Sequence, residues 1–169
     1  PYRLEASLSG FATYAQSGIV LQVNSNPTIN IELQVGQVSS VLEVQAAANM
    51  VETSSNVIGQ VVDQQRVSEL PLNGRNVTQL IALFGAAVPN TGGGLATNLN
   101  YPTVAAFSIA GGQNNATNYF LDGATHIDSR TNVGLPLPFP DALQEFKVET
   151  STLPANYGSH PGGAVNAVT

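Results

Sequence analysis

Two histidines and the acidic residues near them are the side chains of this chain that could bind a metal ion or catalyse hydrolysis. His126 lies two residues before Asp128 and four after Asp122, so one imidazole and two carboxylates could meet in a loop. His160 lies in a Ser-His-Pro tripeptide without an acidic neighbour. Metal sites in proteins take several such ligands in a defined geometry. The sequence therefore favours a solvated loop at His126 and a turn at His160, and it predicts no metal site.

The sequence lacks the patterns of nucleophilic catalysis and nucleotide binding. The chain has no cysteine, which removes thiolate nucleophiles, thiolate metal ligands and disulfides. Composition does not exclude a Ser-His-Asp triad, but no G-x-S-x-G segment surrounds a serine. The glycine runs at 92–94 and 111–112 do not follow a nucleotide-binding spacing. The Asn-x-Thr sequons at Asn76 and Asn115 are short enough to arise by chance. We therefore predict neither an enzyme nor a bound cofactor.

The chain carries few charges. Charged residues make up 9% of its 169 residues, against roughly 25% in an average soluble protein, and hydrophobic residues make up 43%. Such a weakly repulsive surface suits contact with other protein. The net charge is −6 and Lys147 is the only lysine, so no basic patch is available for nucleic acid. No apolar run approaches the ~20 residues of a membrane helix. Because the chain has neither an initiator Met nor a signal peptide, we expect a piece of a longer protein.

The first 45 residues have the alternating pattern of β-strands. Apolar residues occupy every second position at 2–9 and at 29–35. Two more strands are predicted at 19–23 and 38–44, with glycines and a turn-forming segment between the four. Short strands about ten residues apart indicate an antiparallel sandwich. A self-sufficient small sheet is the alternative.

The middle of the chain predicts a strand and two helices. Residues 46–55 are Ala-rich and then polar, as in a linker, and a strand is predicted over 57–62. Asp63 is expected to cap a helix at 64–69 that Pro71 ends. Asn76 and Gln79 have capping-box spacing before a second helix. The apolar residues of that helix share one face, and they are Val77, Leu80, Ile81 and Phe84. This stripe predicts a helix that packs on a core.

The last third of the chain predicts a hairpin followed by two strands. The hairpin has strands at 107–111 and 119–124 and a turn at 114–118, and Asp122-Gly123 suits a tight bend. The final strand is predicted at 164–169, with Val165 in the core.

A short helix is predicted to lead directly into the strand before it. Asp141 is expected to cap this helix at 142–145. Phe146 and Val148 are then predicted to point inward, and Lys147 and Glu149 to point outward.

The order of these elements resembles the plug domain of TonB-dependent outer-membrane receptors. In that family an L-x-D-G turn, an acidic helix–strand, a Y-G turn and a G-G-x-x-N-x-x-T strand follow one another, and PLNGRN is typical of its larger members. Here these sequences form a set that we call the plug signature: Pro71, Leu72, Asn73, Gly74, Arg75, Asn76, Leu121, Asp122, Gly123, Tyr157, Gly158, Gly162, Gly163, Asn166 and Thr169. The chain departs from the family at Ala110, where an Arg is usual, so a salt bridge from this position to a barrel wall is not implied.

The first part of the chain resembles the C-terminal half of a carboxypeptidase regulatory-like domain, an Ig-like β-sandwich whose first strands would precede residue 1. A segment between the two parts looks like a degenerate TonB box, which the energiser TonB grips by strand addition. The segment comprises Val41, Leu42, Glu43, Val44, Gln45 and Ala46. An ordinary strand and linker is the alternative, because the usual run of valines is missing.

The resulting prediction is an α+β chain in two parts. Residues 1–45 form a partial Ig-like β-sandwich, 46–55 a linker, and 56–169 a plug domain with a mixed sheet and short helices. The resemblance implies an outer-membrane importer with a barrel of about 22 strands around the plug. A TonB-type energiser is the implied partner, and the loops at 90–101, 114–118 and 125–138 match the apices that meet ligand. The location is then the bacterial outer membrane or the extracellular space.

A second hypothesis is a structural role outside the cell. A plug without its barrel transports nothing, and the incomplete sandwich leaves strand edges unpaired. Copies of the chain could therefore assemble into homo-oligomers or filaments, with residues 38–44 or 164–169 donated to a neighbour's sheet.

Overall fold

Residues 1–36, 41–45, 56–90, 105–158 and 162–169 are described by a computed structural model of the chain. The chain divides into two units, Pro1–Asn56 and Val57–Thr169. The predicted linker at 46–55 lies outside the described residues. None of the helices in the described ranges has the length and apolar character that a membrane crossing requires.

The described part of the first unit contains one three-stranded sheet in the order β1-β2-β3. The strands are β1 (Tyr2–Ala6), β2 (Thr13–Ile19) and β3 (Val41–Gln45). β1 runs antiparallel to β2, whereas β3 runs parallel to it. The predicted antiparallel, Ig-like sandwich is therefore not confirmed.

The strand predicted at 19–23 is wrong beyond its first residue, because β2 ends at Ile19. A turn follows in which the Ser25 hydroxyl donates to the Gln22 carbonyl at 2.7 Å, and the Gln22 N–H donates to that hydroxyl at 3.1 Å. Asn24 within it has a positive φ of 52°. Side-chain hydrogen bonds of this kind compete with strand pairing.

The segment at 29–35 is extended but belongs to no strand ladder, in contrast to its prediction. It makes one antiparallel bridge, between Val35 and Phe11. The predicted alternation holds as far as Leu33, since Ile29, Ile31 and Leu33 are half-buried and the polar residues between them are exposed. It is wrong at Val35, which is 86% exposed. Periodicity thus identified the less exposed face for three of the four residues but not the pairing.

The second unit is built on a five-stranded mixed sheet in the order β4-β11-β12-β7-β8. Its strands are β4 (Ile58–Asp63), β7 (Thr117–Leu121), β8 (Ala124–Thr125), β11 (Glu145–Ser151) and β12 (Gly163–Val168). β12 and β7 are parallel, and the other neighbours are antiparallel. Two small pairs join β5 (Ala87–Pro89) to β6 (Phe107–Ile109) and β9 (Ile127–Asp128) to β10 (Val133–Gly134). Because β12 is paired on both sides, the C-terminal strand is not free for donation to a neighbour.

One α-helix and four short 3-10 helices accompany this sheet in the described residues. The α-helix is α1 (Gln64–Glu69), and the Asp63 carboxylate accepts from the Arg66 N–H at 2.9 Å, which confirms the predicted cap. The 3-10 helices are Asn73–Arg75, Val77–Leu83, Pro140–Ala142 and Ala155–Tyr157.

Asn76 caps the helix Val77–Leu83 as predicted, but its pairing with Gln79 and the cap predicted at Asp141 are wrong. Asn76 accepts from the Thr78 N–H at 3.0 Å, but the Gln79 side chain accepts from the Asn73 N–H at 2.9 Å, so the capping box is not reciprocal. Asp141 lies inside the 3-10 helix Pro140–Ala142 instead of capping a helix at 142–145. Pro140 sets the first helical φ there, so the turn begins before the expected cap.

The hydrophobic core lies between the sheet of the second unit and the helix Val77–Leu83. All six residues predicted for it are at most 6% exposed, and they are Leu80, Ile81, Phe84, Phe146, Val148 and Val165. Phe107, Ile109 and Leu143 complete its centre. This face of the sheet fixes the position of β7 and β12, which carry Leu121, Gly163 and Asn166 of the plug signature.

Candidate functional site

The Leu-Asp-Gly and Asn-x-x-Thr parts of the plug signature meet at one end of β7 and β12. Asp122 and Gly123 form the two-residue turn from β7 to β8, with positive φ at both (50° and 79°), as a type I′ turn requires. The Asp122 carboxylate accepts from the Thr169 N–H at 2.9 Å and from the Thr169 hydroxyl at 2.8 Å. The Asp122 N–H donates to the Ala167 carbonyl at 3.0 Å. The turn therefore holds the end of the last strand.

The hydrogen bonds from Thr169 also favour the ionised form of the Asp122 carboxyl group. The Thr169 backbone N–H, and secondly its hydroxyl, lower the pKa of Asp122 below its ordinary value of 3.8. Hydrogen bonds to a carboxylate favour its ionised form. Asp122 therefore stays ionised wherever this contact persists.

The Gly-Gly pair of the signature permits close contact between the start of β12, β6 and the segment that leads into β7. The hairpin predicted from strands at 107–111 and 119–124 is wrong, because β6 pairs with β5 and β7 pairs with β12 and β8. A Cβ on Gly162 would lie 2.9 Å from the Ala116 carbonyl, and one on Gly163 would lie 2.9 Å from the Ile109 side chain. The Gly162 N–H donates to the same Ala116 carbonyl at 2.8 Å, and Gly163 has a φ of 140°. Only glycine satisfies both the spacing and the backbone geometry here.

Tyr157 and Asn166 of the signature meet on the face of the sheet opposite the core. The Asn166 amide donates to the Tyr157 hydroxyl at 3.3 Å, and the Asn118 amide donates to the Tyr157 carbonyl at 2.9 Å. The Tyr157 ring also packs against Phe120, with centroids 5.4 Å apart. All three polar residues are at most 8% exposed. This second face of the sheet is thus buried and polar.

A buried ion pair extends this polar face, and here the sequence prediction is wrong. Lys147 and Glu149 were expected to point to solvent, yet they are 9% and 2% exposed, with Nζ and Oε1 2.9 Å apart. Their side chains do leave the core face, but that second face is covered. Glu149 also lies against Gly59 of β4, where a Cβ would approach its Cγ to 3.0 Å.

The PLNGRN hexapeptide connects α1 to the helix Val77–Leu83 through two turns. Gly74 and Arg75 both have positive φ, 62° and 57°. The Arg75 guanidinium forms an ion pair with Asp141, and Leu72 packs against the core. The hexapeptide therefore joins α1 to the 3-10 helix that precedes β11. Its side chains lie apart from the Asp122 and Tyr157 contacts.

No protein-family model matches the chain. Its sequence is similar to the TonB-dependent transporter Oar of Myxococcus xanthus, with 26% identity over 99% of this chain and 15% of that protein. Solved structures share its fold. The outer-membrane transporter YddB of Escherichia coli matches 65% of this chain and 16% of its own, with a TM-score of 0.51 and 18% identity.

Two siderophore receptors show the same likeness. The ferric enterobactin receptor PfeA of Pseudomonas aeruginosa has a TM-score of 0.52 and 17% identity, and PirA of Acinetobacter baumannii has 0.51 and 22%. Each covers 66% of this chain, which spans 17% of each receptor. The chain is therefore similar in sequence to a TonB-dependent transporter and in fold to part of these outer-membrane proteins. The named relatives are a TonB-dependent transporter, an outer-membrane transporter and two siderophore receptors, and this chain spans less than a fifth of the length of each.

The segment that looks like a TonB box contains a strand of the first unit. Val41–Gln45 is β3, which pairs in parallel with β2 at the edge of the described sheet. Glu43 is exposed and Val44 is half-buried. Ala46 lies outside the described residues. Whether this strand binds TonB stays a prediction.

The histidines have no common site in the described residues. His126 Nε2 lies 3.0 Å from the Pro136 carbonyl oxygen. The His126 backbone N–H donates to the Tyr119 backbone carbonyl at 2.7 Å. Asp128 accepts from the Arg130 N–H at 2.9 Å and from the Thr131 hydroxyl at 3.0 Å. No group of three metal-binding side chains occurs in the described ranges, and His160 lies outside them. These hydrogen bonds hold the loop around β9, and its match to a ligand-meeting apex stays a prediction.

Tyr119 is a further buried ionisable residue of the second unit. It is 2% exposed, its hydroxyl has no hydrogen-bond partner among the described residues, and burial raises its pKa. Gly134 lies against its ring, since a Cβ there would be 2.9 Å away. Tyr119 is thus a neutral core residue.

Proposed function

We propose that Val57–Thr169 is the plug domain of a TonB-dependent outer-membrane receptor that takes up a substrate. The observation that carries this proposal is the mixed sheet β4-β11-β12-β7-β8 with the signature residues joined at its ends, a fold shared with YddB, PfeA and PirA. Similarity to the transporter Oar over nearly the whole chain supports it. In such a parent protein a barrel surrounds the plug, and the low charge of the chain suits that protein environment.

A chimera tests the plug assignment. Residues 57–169 replace the corresponding segment of Oar, and outer-membrane permeability to a large hydrophilic antibiotic is measured. A plug that fits closes the barrel, so the cells should resist the antibiotic as cells with intact Oar do. The control is the same barrel without a plug, which should admit it, because a wide barrel with an empty lumen is an aqueous channel. A chimera that reaches the membrane but leaks as the empty barrel does would refute the assignment.

We further propose that residues 41–46 bind a TonB-type energiser by strand addition. β3 lies at the edge of the described sheet, where one side of a strand can accept another. A synthetic peptide of residues 41–46 should displace this chain from the periplasmic domain of TonB, and a scrambled peptide of equal composition should not. Equal competition by both peptides would contradict the proposal.

The filament hypothesis has no comparable support. The proteins that resemble this chain in sequence and structure are transporters and receptors. Of its two suggested donor strands, β12 is paired on both sides and β3 is paired with β2. The proposal therefore rests on the receptor role.

A further inference from the structure

A lysine, an amide and a carboxyl group lie close together on the buried polar face of the five-stranded sheet. Lys147 and Asn166 are directly opposite each other on the antiparallel strands β11 and β12. Glu149 lies two residues along β11, on the same face, with Oε1 2.9 Å from Lys147 Nζ. We propose that Lys147 and Asn166 become joined by an isopeptide bond inside the folded chain, with Glu149 as the acid–base group.

The register makes Asn166 the amide within reach. Directly opposed residues of an antiparallel pair have Cβ atoms about 4.5–5.5 Å apart. The lysine side chain has a flexible four-carbon stem, so Nζ can turn from Glu149 to the neighbouring amide carbon. Asn118 is also buried on this face, but it lies on β7, one strand farther from Lys147, opposite Ala164. Asn166 is therefore the acceptor.

The surroundings hold the amide in place and exclude water. The Asn166 amide nitrogen donates to the Tyr157 hydroxyl at 3.3 Å, which fixes the nitrogen that must leave. Phe120 is the neighbour of Asn166 on β7, and its ring packs on Tyr157. Asn166 is 5% exposed and Glu149 2% exposed, so hydrolysis does not compete.

The reaction balances without an outside reagent. A proton passes from Lys147 Nζ to Glu149 Oε1, which leaves a neutral amine and a carboxylic acid. The Nζ lone pair forms a bond to Asn166 Cγ, and Glu149 hydrogen-bonds to the amide oxygen and relays a second Nζ proton to Nδ2. The Cγ–Nδ2 bond breaks and neutral ammonia leaves, while Glu149 keeps the proton first taken from Lys147 and remains a carboxylic acid. No group is oxidised or reduced.

The local energetics favour this product. A buried ion pair carries a desolvation penalty that its mutual attraction seldom exceeds by much. Glu149 Oε2 is in addition buried without a hydrogen-bond partner among the described residues. Conversion of the ion pair and the amide into one neutral amide beside a neutral carboxylic acid removes both buried charges. The cross-link also joins β11 to β12 covalently. It therefore closes a loop in the unfolded state and lowers the entropy of that state.

Mass spectrometry of the whole chain tests the bond directly. Lys147 is the only lysine, and no arginine follows Arg130. The chain purified from its folded state should weigh one ammonia less than its sequence, and trypsin should release residues 131–169 as one peptide, since an acylated lysine is not cleaved. A full sequence mass, with separate peptides for 131–147 and 148–169, would overturn the proposal.

Four variants assign the roles, with folding checked by circular dichroism. Lys147→Arg and Glu149→Gln should keep the full mass, because one lacks the primary amine and the other the acid–base group. Asn118→Ser should still lose one ammonia. Asn166→Asp should lose one water instead, because its leaving group is an oxygen. An unchanged ammonia loss in Glu149→Gln would refute the role of Glu149, and the mass of the unaltered chain decides the bond even if a variant does not fold.

Discussion

The Asp122 carboxylate joins the Leu-Asp-Gly part of the plug signature to its Asn-x-x-Thr part. It sits in a turn with positive φ, a conformation that Asp and Asn tolerate better than most residues. It accepts two hydrogen bonds from Thr169, one from the backbone and one from the side chain. The sequence placed these residues in one motif set, but their contact could not be predicted, because it depends on the parallel pairing of β7 with β12.

We predict that the Asp122 contact makes stability depend on pH in the acidic range. The pKa of Asp122 in the folded chain lies below its ordinary value of 3.8. Its contribution is therefore fully present above that value and is lost as the pH falls through the lower, folded pKa. Thermal melting from about pH 7 to about pH 2.5 should show Asp122→Asn less stable than the unaltered chain at neutral pH, with the difference shrinking at low pH.

Asn is the matched substitution here, since Asn-Gly is itself a favoured type I′ turn and leaves the hairpin intact. A constant difference between the two proteins over the whole pH range would show that the charge of Asp122 contributes nothing.

At the scale of elements, the helix Val77–Leu83 and its end offer a matched pair of apolar residues. Phe84 is 6% exposed and belongs to the core, whereas Leu83 is 59% exposed. Phe84→Ala should lower the free energy of unfolding by roughly 3–5 kcal/mol through lost burial and the cavity left behind. Leu83→Ala should change it by no more than about 0.5 kcal/mol. Denaturant unfolding of both variants measures the difference, and equal losses would mean that this helix does not pack as described.

Periodicity predicted the buried face correctly for two elements of the second unit. The stripe from Val77 to Phe84 and the alternation of Phe146 and Val148 each predicted the buried face, because burial follows directly from the repeat of apolar positions. It failed for Lys147 and Glu149, whose face is covered by chain that the repeat cannot report. A charged residue predicts exposure only while nothing distant packs on it.

Strand pairing was the other property that the sequence could not supply. Residues 29–35 have a strand-like alternation, yet their backbone joins no ladder, and β3 pairs in parallel with a strand that begins at Thr13. Partners and direction depend on contacts between distant residues, whereas the alternation is a local property. The plug resemblance supplied the long-range order for the second unit, and no equally specific motif did so for the first.

For the whole molecule, the distribution of apolar residues predicts that the two units differ in their capacity to fold alone. The core cluster consists entirely of residues in Val57–Thr169, and the five-stranded sheet lies within that unit. In the described part of Pro1–Asn56, only Thr13, Ala15 and Ile19 are buried, while Val35 is 86% and Tyr2 63% exposed. A domain of about 55–65 residues is marginal even with a good core.

We therefore expect residues 57–169 to fold by themselves and residues 1–56 to remain largely unfolded when produced separately. The first should show a cooperative thermal transition and protected amides on β11 and β12, which lie inside the sheet, because their hydrogen bonds open only on global unfolding. The second should show neither, since a small sheet with only three buried residues in its described part does not offset the entropy of ordering. Phe84→Ala provides the internal control, because it should lower the transition midpoint of the larger piece if the same core forms there. A cooperative transition in residues 1–56, or an unfolded larger piece, would contradict the assignment of the core to the second unit.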